Sequence, residues 1–338
     1  MVSTTLLYPT NATLNGRLKA FADAHVDLSP EDTALGRDLA AFVQDAFCAS
    51  ANTANNAHLP HVYSSESYLA GSLGRRTQAQ PLDDIDVFLV FNAGGTSMTK
   101  GGIREPVEMF GTEPNPLLSA LYASPPWISS ARVLEAFLPV AQGFVDRFNS
   151  VTDAGVGAKQ RTLFIRFGHI NVDVVLVELG RAAHGLDKYY LPDGGGMWRA
   201  SNPKEDQRRL SEMNGSQGGN LLALIRLIKW WNKAHNAGRL KGIHIEVMVE
   251  NATRGWLTTS TFSALRLIFP ALIAAVGVPC PDPTGLGPDL DQRLSAQDRS
   301  DSIEALTAAW NAVLTAGRFA DAGRTYEAVA AMQPVFPI

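Results

Sequence analysis

Apolar positions along this chain change their period twice, from helical spacing to strict alternation and back. Leu35, Leu39, Phe42, Val43, Ala46 and Phe47 recur at helical spacing behind Ser29-Pro30-Glu31-Asp32, which has the form of a helix start with Ser29 as cap and Pro30 in the first turn. A long bracing helix over about 30–49 is predicted. The run Pro81–Phe91 then alternates, with Ile85, Val87 and Leu89 on one face of a strand and Asp84 and Asp86 on the other. Asp83 falls on the wrong face to join them and reads as a cap at the strand entry. Arg161–Phe167 and Ile170–Glu178 read as two more strands across a Gly168-His169 turn. Gly94–Pro116 and Ala123-Ser-Pro-Pro-Trp127 read as loops. Helical spacing dominates after about residue 203, with stripes at Leu221, Leu224, Ile225, Ile228 and at Ile303, Leu306, Trp310, Val313, and a linker at Pro279–Pro288. The pattern predicts a mixed α/β lobe over 1–200, a helical lobe over 201–338 and a cleft between them.

Composition narrows the class. With 338 residues and 46% hydrophobic content the chain can build two lobes, more than one core usually sustains. It has no charged-then-apolar leader and no apolar run of membrane-spanning length, and Cys48 and Cys280 stand alone without metal-ligand spacing. A cytoplasmic protein without membrane contact is expected. A formal charge of −4 argues against broad nucleic-acid binding. No Gly-x-x-x-x-Gly-Lys-Ser/Thr run is present, Gly155-Val-Gly157 is only a fragment of a dinucleotide fingerprint, and the seven histidines form no His-Glu-x-x-His.

The chemistry concentrates in Gly71-Ser72-Leu73-Gly74-Arg75-Arg76-Thr77 and the strand after it. A Gly71-Ser72 turn that opens a helix offers unpaired backbone N–H groups to a phosphate. Asp84 and Asp86, side by side on an apolar strand, need a counter-charge, and a pair of divalent cations supplies one. Magnesium is held by one or two carboxylates together with substrate phosphates, so the turn and the acid pair make one proposal. Asp173, an acid within the apolar run Ile170–Glu178, is the candidate third carboxylate if its strand neighbours that of Asp84 and Asp86.

Further candidates each carry two readings. Arg226, Lys229 and Lys233 share a helix face, either to hold a triphosphate or as an ordinary solvated basic face. Tyr190, with Tyr189 and Trp198 beside the Gly-rich segment Leu191–Met197, either stacks on a nucleobase or packs in the core. Asn202 either reads a base edge or caps the helix beginning near Pro203.

Gly71-Ser72, Asp84-Ile85-Asp86 and Asp173 resemble the signature of the DNA polymerase β-like nucleotidyltransferase superfamily. Tyr189–Asp193, Trp198–Pro203 and the helix Leu221–Asn232 resemble the cGAS/DncV-like nucleotidyltransferases of bacterial anti-phage (CBASS) systems. The resemblance implies an α+β fold, a polymerase β-like lobe with a mixed sheet plus a C-terminal helical lobe, and an active site in the cleft. It implies that Asp84, Asp86 and Asp173 bind two Mg²⁺ ions, which Mn²⁺ can replace, and that Gly71, Ser72 and Lys229 contact the triphosphate. It further implies ATP and/or GTP as substrates, a cyclic oligonucleotide product read by a downstream effector, and a monomeric enzyme. One departure is Lys241-Gly242-Ile243-His244, where the family often has a Ser or similar polar residue. The alternatives are a nucleotidyltransferase acting on a tRNA, protein or small molecule, and a non-catalytic nucleotide sensor, against which the intact acid trio speaks.

Overall fold

The computed structural model describes residues 9–92, 95–99, 104–111, 116–180, 188–255 and 260–338. Helices α1 (Pro9–His25) and α2 (Pro30–Ala51) come first, then β1 (His61–Leu69), the single turn α3 (Gly71–Gly74) and β2 (Asp84–Asn92). Four short strands follow, β3 (Thr96–Met98), β4 (Met109–Gly111), β5 (Tyr122–Ser124) and β6 (Trp127–Ile128), and lead to α4 (Ser130–Arg147). Next come β7 (Val151–Val156), β8 (Leu163–Phe167), β9 (Ile170–Gly180), β10 (Lys188–Pro192) and β11 (Trp198–Ser201). The remainder is helical: α5 (Pro203–Ser216), α6 (Asn220–His235), α7 (Gly242–Thr253), α8 (Thr261–Val276), α9 (Ala296–Asp321) and α10 (Thr325–Met332).

The main sheet runs β1-β2-β9-β10-β11, with β8 paired to the first half of β9 and β7 paired to β8. β2 and β9 are parallel, and every other described pairing in this sheet is antiparallel. Ile85, Val87 and Leu89 of β2 and Val172, Val174 and Leu176 of β9 are fully buried against α2 and α4. Burying each such side chain contributes about 1.5–3 kcal/mol, and a one-residue slip would put Asp84 and Asp86 into that core instead. The hydrophobic face therefore fixes the register that aims the acids the other way.

Ser29 caps α2, its hydroxyl accepting from the Asp32 N–H at 2.9 Å. The buried stripe of α2 is Gly36, Ala40, Val43 and Phe47, whereas Leu35 and Phe42, expected on that face, are exposed at 45% and 38%. Phe42 lies at the edge of the stripe and meets Phe144 and Phe148 edge-on. Two expected loops also need correction. Within Gly94–Pro116 and at 123–127 the chain forms β3 to β6, a second, four-stranded sheet whose strands are too short to show alternation. Gly94, 100–103 and 112–115 lie outside the described residues.

Helices α5 to α10 build a second core, which also takes in Leu14, Leu18 and Phe21 of α1. The N-terminal helix thus packs with the C-terminal helices across the length of the chain. Trp231 is buried there, and the partly buried Trp230 meets Phe21 edge-on. Both cysteines are free and buried, and among the described residues no helix is long and apolar enough to cross a membrane.

Candidate active site

Parallel pairing of β2 with β9 sets Asp84 opposite Asn171 and Asp86 opposite Asp173. Cross-strand partners share a face, so three carboxylates separated by up to 89 residues emerge together. Oxygen atoms of Asp84, Asp86 and Asp173 all lie within 4.8 Å of one another. Asn171 Nδ2 donates to Asp173 Oδ1 at 2.8 Å and to Asp84 Oδ1 at 3.3 Å, orienting both. Sequence reasoning passed over Asn171, although its position two residues before Asp173 puts it on the same face.

Crowding shows in the acidities. Burial first, then Asp84 and Asp173, push the Asp86 carboxyl up to about 7. Asp84 is raised by burial and by Asp173, and Asp173 by burial, tempered by hydrogen bonds from Asn171 and Thr162. Such a set is costly as three anions and fits divalent cations, which oxygen ligands of this kind hold.

The Gly71-Ser72 turn abuts the trio. Ala70 N–H donates to the Asp86 carbonyl at 2.8 Å, which ties α3 to β2. Gly71 has φ +61°, and a Cβ there would stand 1.7 Å from Asp86 Oδ2, so only glycine fits. The N–H groups of Gly71, Ser72 and Leu73 precede the first N–H to donate within the turn, that of Gly74 to the Ala70 carbonyl at 2.9 Å, and have no partner within α3.

Lys229 is not laid open on a basic face. Its ammonium donates to Glu246 Oε1 at 2.5 Å and to Thr77 Oγ1 at 3.0 Å, and it is only 12% exposed. Glu246 is fully buried and also takes Arg75, at 2.6 and 3.2 Å, and the Thr77 hydroxyl at 2.7 Å. Against the opposing effect of burial, Arg75 and Lys229 hold the Glu246 carboxyl down at about 2. Arg226 pairs with Asp27 at 2.7 Å and Lys233 with Asp83 at 3.8 Å. The three cations of α6 thus hold three separate acids.

Tyr190 lies on the far side of the sheet. In β10, Tyr189 and Leu191 face the cleft with Phe88 and Val175, while Tyr190 packs against the opposite core and over Gly180. Trp198 is buried, its indole N–H donating to the Ile128 carbonyl at 2.9 Å. Asn202 is the cap of α5, its Oδ1 accepting from the Glu205 N–H at 3.1 Å, ahead of Pro203. Neither Tyr190 nor Asn202 is among the residues lining the cavity beside Asp86.

That cavity, of about 430 Å³, lies between the sheet and the helices, with Phe88, Val175 and Leu191 facing Ile243 and Leu290. The expected linker Pro279–Pro288 supplies part of its wall through Asp282, Gly287 and Pro288.

A mixed sheet bearing an acid trio beside a Gly-Ser turn, with helices closing a cleft over it, defines the nucleotidyltransferase fold of the polymerase β type. Within that class the chain is similar in structure to CdnC of E. coli MS115-1. The likeness to CdnC in its HORMA-deltaN complex has a TM-score of 0.68 at 16% identity and covers 96% of both chains. CdnC with ATP matches at 0.61 and 17% identity, covering 96% of this chain and 98% of that one. In sequence, a probable cyclic nucleotide synthase of Bacillus cereus (strain VD146) is 28% identical over 224 residues, 65% of this chain. The match spans 65% of that relative's length. No protein-family model matches the chain. The resemblance to cGAS/DncV-like nucleotidyltransferases carried by its motifs recurs in both sequence and fold.

Proposed function

We propose that this protein is a metal-dependent nucleotidyltransferase that joins nucleoside triphosphates, ATP and/or GTP, into a cyclic oligonucleotide. The observation that carries the reading is the meeting of Asp84, Asp86 and Asp173 against the Gly71-Ser72 turn. The relative named a probable cyclic nucleotide synthase supports the choice of product.

In this reading the three carboxylates hold two Mg²⁺ ions, for which Mn²⁺ can substitute, and bound ions of this kind neutralise a triphosphate and acidify a hydroxyl near them. Asn171 keeps Asp84 and Asp173 turned toward each other. The N–H groups of Gly71, Ser72 and Leu73 receive the triphosphate of the donor nucleotide. A ribose hydroxyl of the second nucleotide would attack the donor α-phosphorus, giving its proton to solvent, so that a new P–O bond forms as the bond from the α-phosphorus to the oxygen bridging to the β-phosphate breaks and pyrophosphate leaves. A second transfer within the linear product closes the ring. The diffusible product would then reach a downstream effector, in anti-phage signalling.

Incubation with α-labelled ATP and GTP, Mg²⁺ and no other acceptor tests this. The expected product is a labelled species resistant to phosphatase, with pyrophosphate released. No product under these conditions, with label transferred only once a tRNA, protein or small molecule is added, would overturn the reading.

A further inference from the structure

A second, smaller cavity of about 240 Å³ lies where the junction of α1 and α2, the segment after α3, and α6 meet. Arg37 of α2, Arg76 after α3 and Arg226 of α6 line it, together with Asp27, Leu73 and Gln78. It shares no lining residue with the cavity beside Asp86. Neighbouring residues of one short segment divide between two tasks. Arg75 and Thr77 bond the buried Glu246, whereas Arg76 and Gln78 line this cavity.

Two observations point to a ligand, and each states a chemical requirement. Gln78 is 7% exposed, and its Nε2 donates to the Asp84 carbonyl at 3.0 Å. A carbonyl only accepts, so the amide nitrogen faces Asp84 and the other terminal atom is the oxygen. That Oε1 is buried without a hydrogen-bond partner, a state that costs free energy unless a donor reaches it. The second requirement is charge. Asp27 neutralises Arg226 at 2.7 Å, while among the described residues Arg37 and Arg76 are in no ion pair. Three arginines and one aspartate leave the lining with two positive charges in excess. Arg76 is also held at φ +59°, a left-handed conformation that non-glycine residues seldom adopt, with its carbonyl accepting from Arg226 Nη1 at 2.9 Å. Backbone of this kind collects at ligand-binding segments.

A ligand that meets both requirements is a compact dianion able to donate a hydrogen bond. Hydrogen phosphate is one: its ionised oxygens accept from guanidinium N–H groups, and its hydroxyl donates to a carbonyl oxygen. Sulfate has the same charge and shape but no proton to donate at neutral pH. A phosphomonoester, with its second pKa at about 6, keeps little of that proton either.

We infer that Arg37, Arg76 and Gln78 form a binding site for the hydrogen phosphate ion, seated between α2, the segment after α3, and α6. The site stands whether or not the nucleotidyltransferase reading does. Thr77, between Arg76 and Gln78, donates its N–H to the Ser72 carbonyl at 2.9 Å, so the bound ion braces the Gly71-Ser72 turn.

Calorimetric titration at neutral pH in EDTA provides the test, with inorganic phosphate, sulfate and glycerol phosphate as the three probes. Wild-type protein is expected to bind phosphate at least ~10-fold more tightly than either of the others, because a buried acceptor rejects an analogue without the matching donor. Arg37→Gln/Arg76→Asn is expected to bind phosphate at least ~10-fold more weakly, having lost two charge-assisted contacts. The double variant should melt no lower than wild type, since Arg37 is exposed and asparagine tolerates left-handed backbone. Gln78→Met is expected to bind phosphate no more tightly than sulfate; should that variant not fold, the wild-type selectivity and the double variant decide. Hydrogen exchange locates the ion, with phosphate slowing exchange in peptides from α2 and from residues 73–80 together. The inference is overturned by absent wild-type binding, by sulfate or glycerol phosphate bound as tightly, or by selectivity that survives in Gln78→Met. Unchanged binding or a lowered melting point in the double variant would also sink it, as would protection that leaves α2 untouched.

Discussion

At the scale of single residues, the site depends on how closely Gly71 and Asp86 approach. Gly71→Ala must move the Asp86 carboxylate and hold alanine at φ +61°, so nucleotide joining is expected to fall at least ~10²-fold with the fold retained by circular dichroism. Asp84→Asn and Asp86→Asn are expected to abolish joining altogether while the melting point stays near or above that of wild type, since each relieves repulsion. A different acid reports on stability. Glu178 is 6% exposed with one hydrogen bond from Thr96, and burial pushes its carboxyl up to about 8. The folded protein therefore keeps a proton that the unfolded chain releases above its ordinary value of 4.5, and stability falls as pH rises from there toward 8. Glu178→Gln should melt higher than wild type at pH 8 and alike at pH 4; equal melting at both would refute the assignment. The acid trio was legible in the sequence because alternation alone places Asp84 and Asp86 on one face and marks Asp173 as an anomaly. Tyr190 was not, because which face a residue of β10 takes depends on its pairing with β9 and β11, and no local pattern carries that register.

At the scale of elements, the turn carrying Gly71 is bound to the helical core by ions. Arg75 and Thr77 follow α3, Lys229 comes from α6 and Glu246 from α7, and one buried carboxylate joins all of them. Glu246→Gln leaves two cations facing each other in the interior, and its expected cost is about 3–5 kcal/mol, read as a large drop in the denaturant midpoint. Arg208→Gln, which breaks exposed pairs with Glu205 and Glu212, should leave that midpoint unchanged. Because Glu246 sits near 2 when folded and at 4.5 when unfolded, its contribution is present above pH 4.5 and lost as pH falls toward 2. The network also accounts for what the cations of α6 meet in this structure: spacing identifies which cations align but not which distant acids pair with them. Element identity was the legible part. The capped start of α2, the strands bearing acids and the C-terminal helices follow from periodicity, whereas β3 to β6 are too short to carry a period at all.

At the scale of the whole molecule, two cores meet over one cleft. The sheet side offers the carboxylates together with Arg161 and Arg199, and α5, α7 and the segment before α9, with Lys241 and Arg293, close the other side. The packing of α1 with the C-terminal helices was hidden because Leu14, Leu18 and Phe21, although at helical spacing, say nothing about which distant helices their stripe meets. All of this serves one claim, that three carboxylates form a divalent-cation centre beside a bound triphosphate. Anomalous diffraction from crystals soaked with Mn²⁺ and a non-hydrolysable ATP or GTP analogue tests it most directly. Manganese peaks are expected at Asp84, Asp86 and Asp173 next to the triphosphate, with its outer phosphates at the Gly71-Ser72 N–H groups. Manganese and nucleotide bound elsewhere, with the three carboxylates bare at saturating metal, would contradict it.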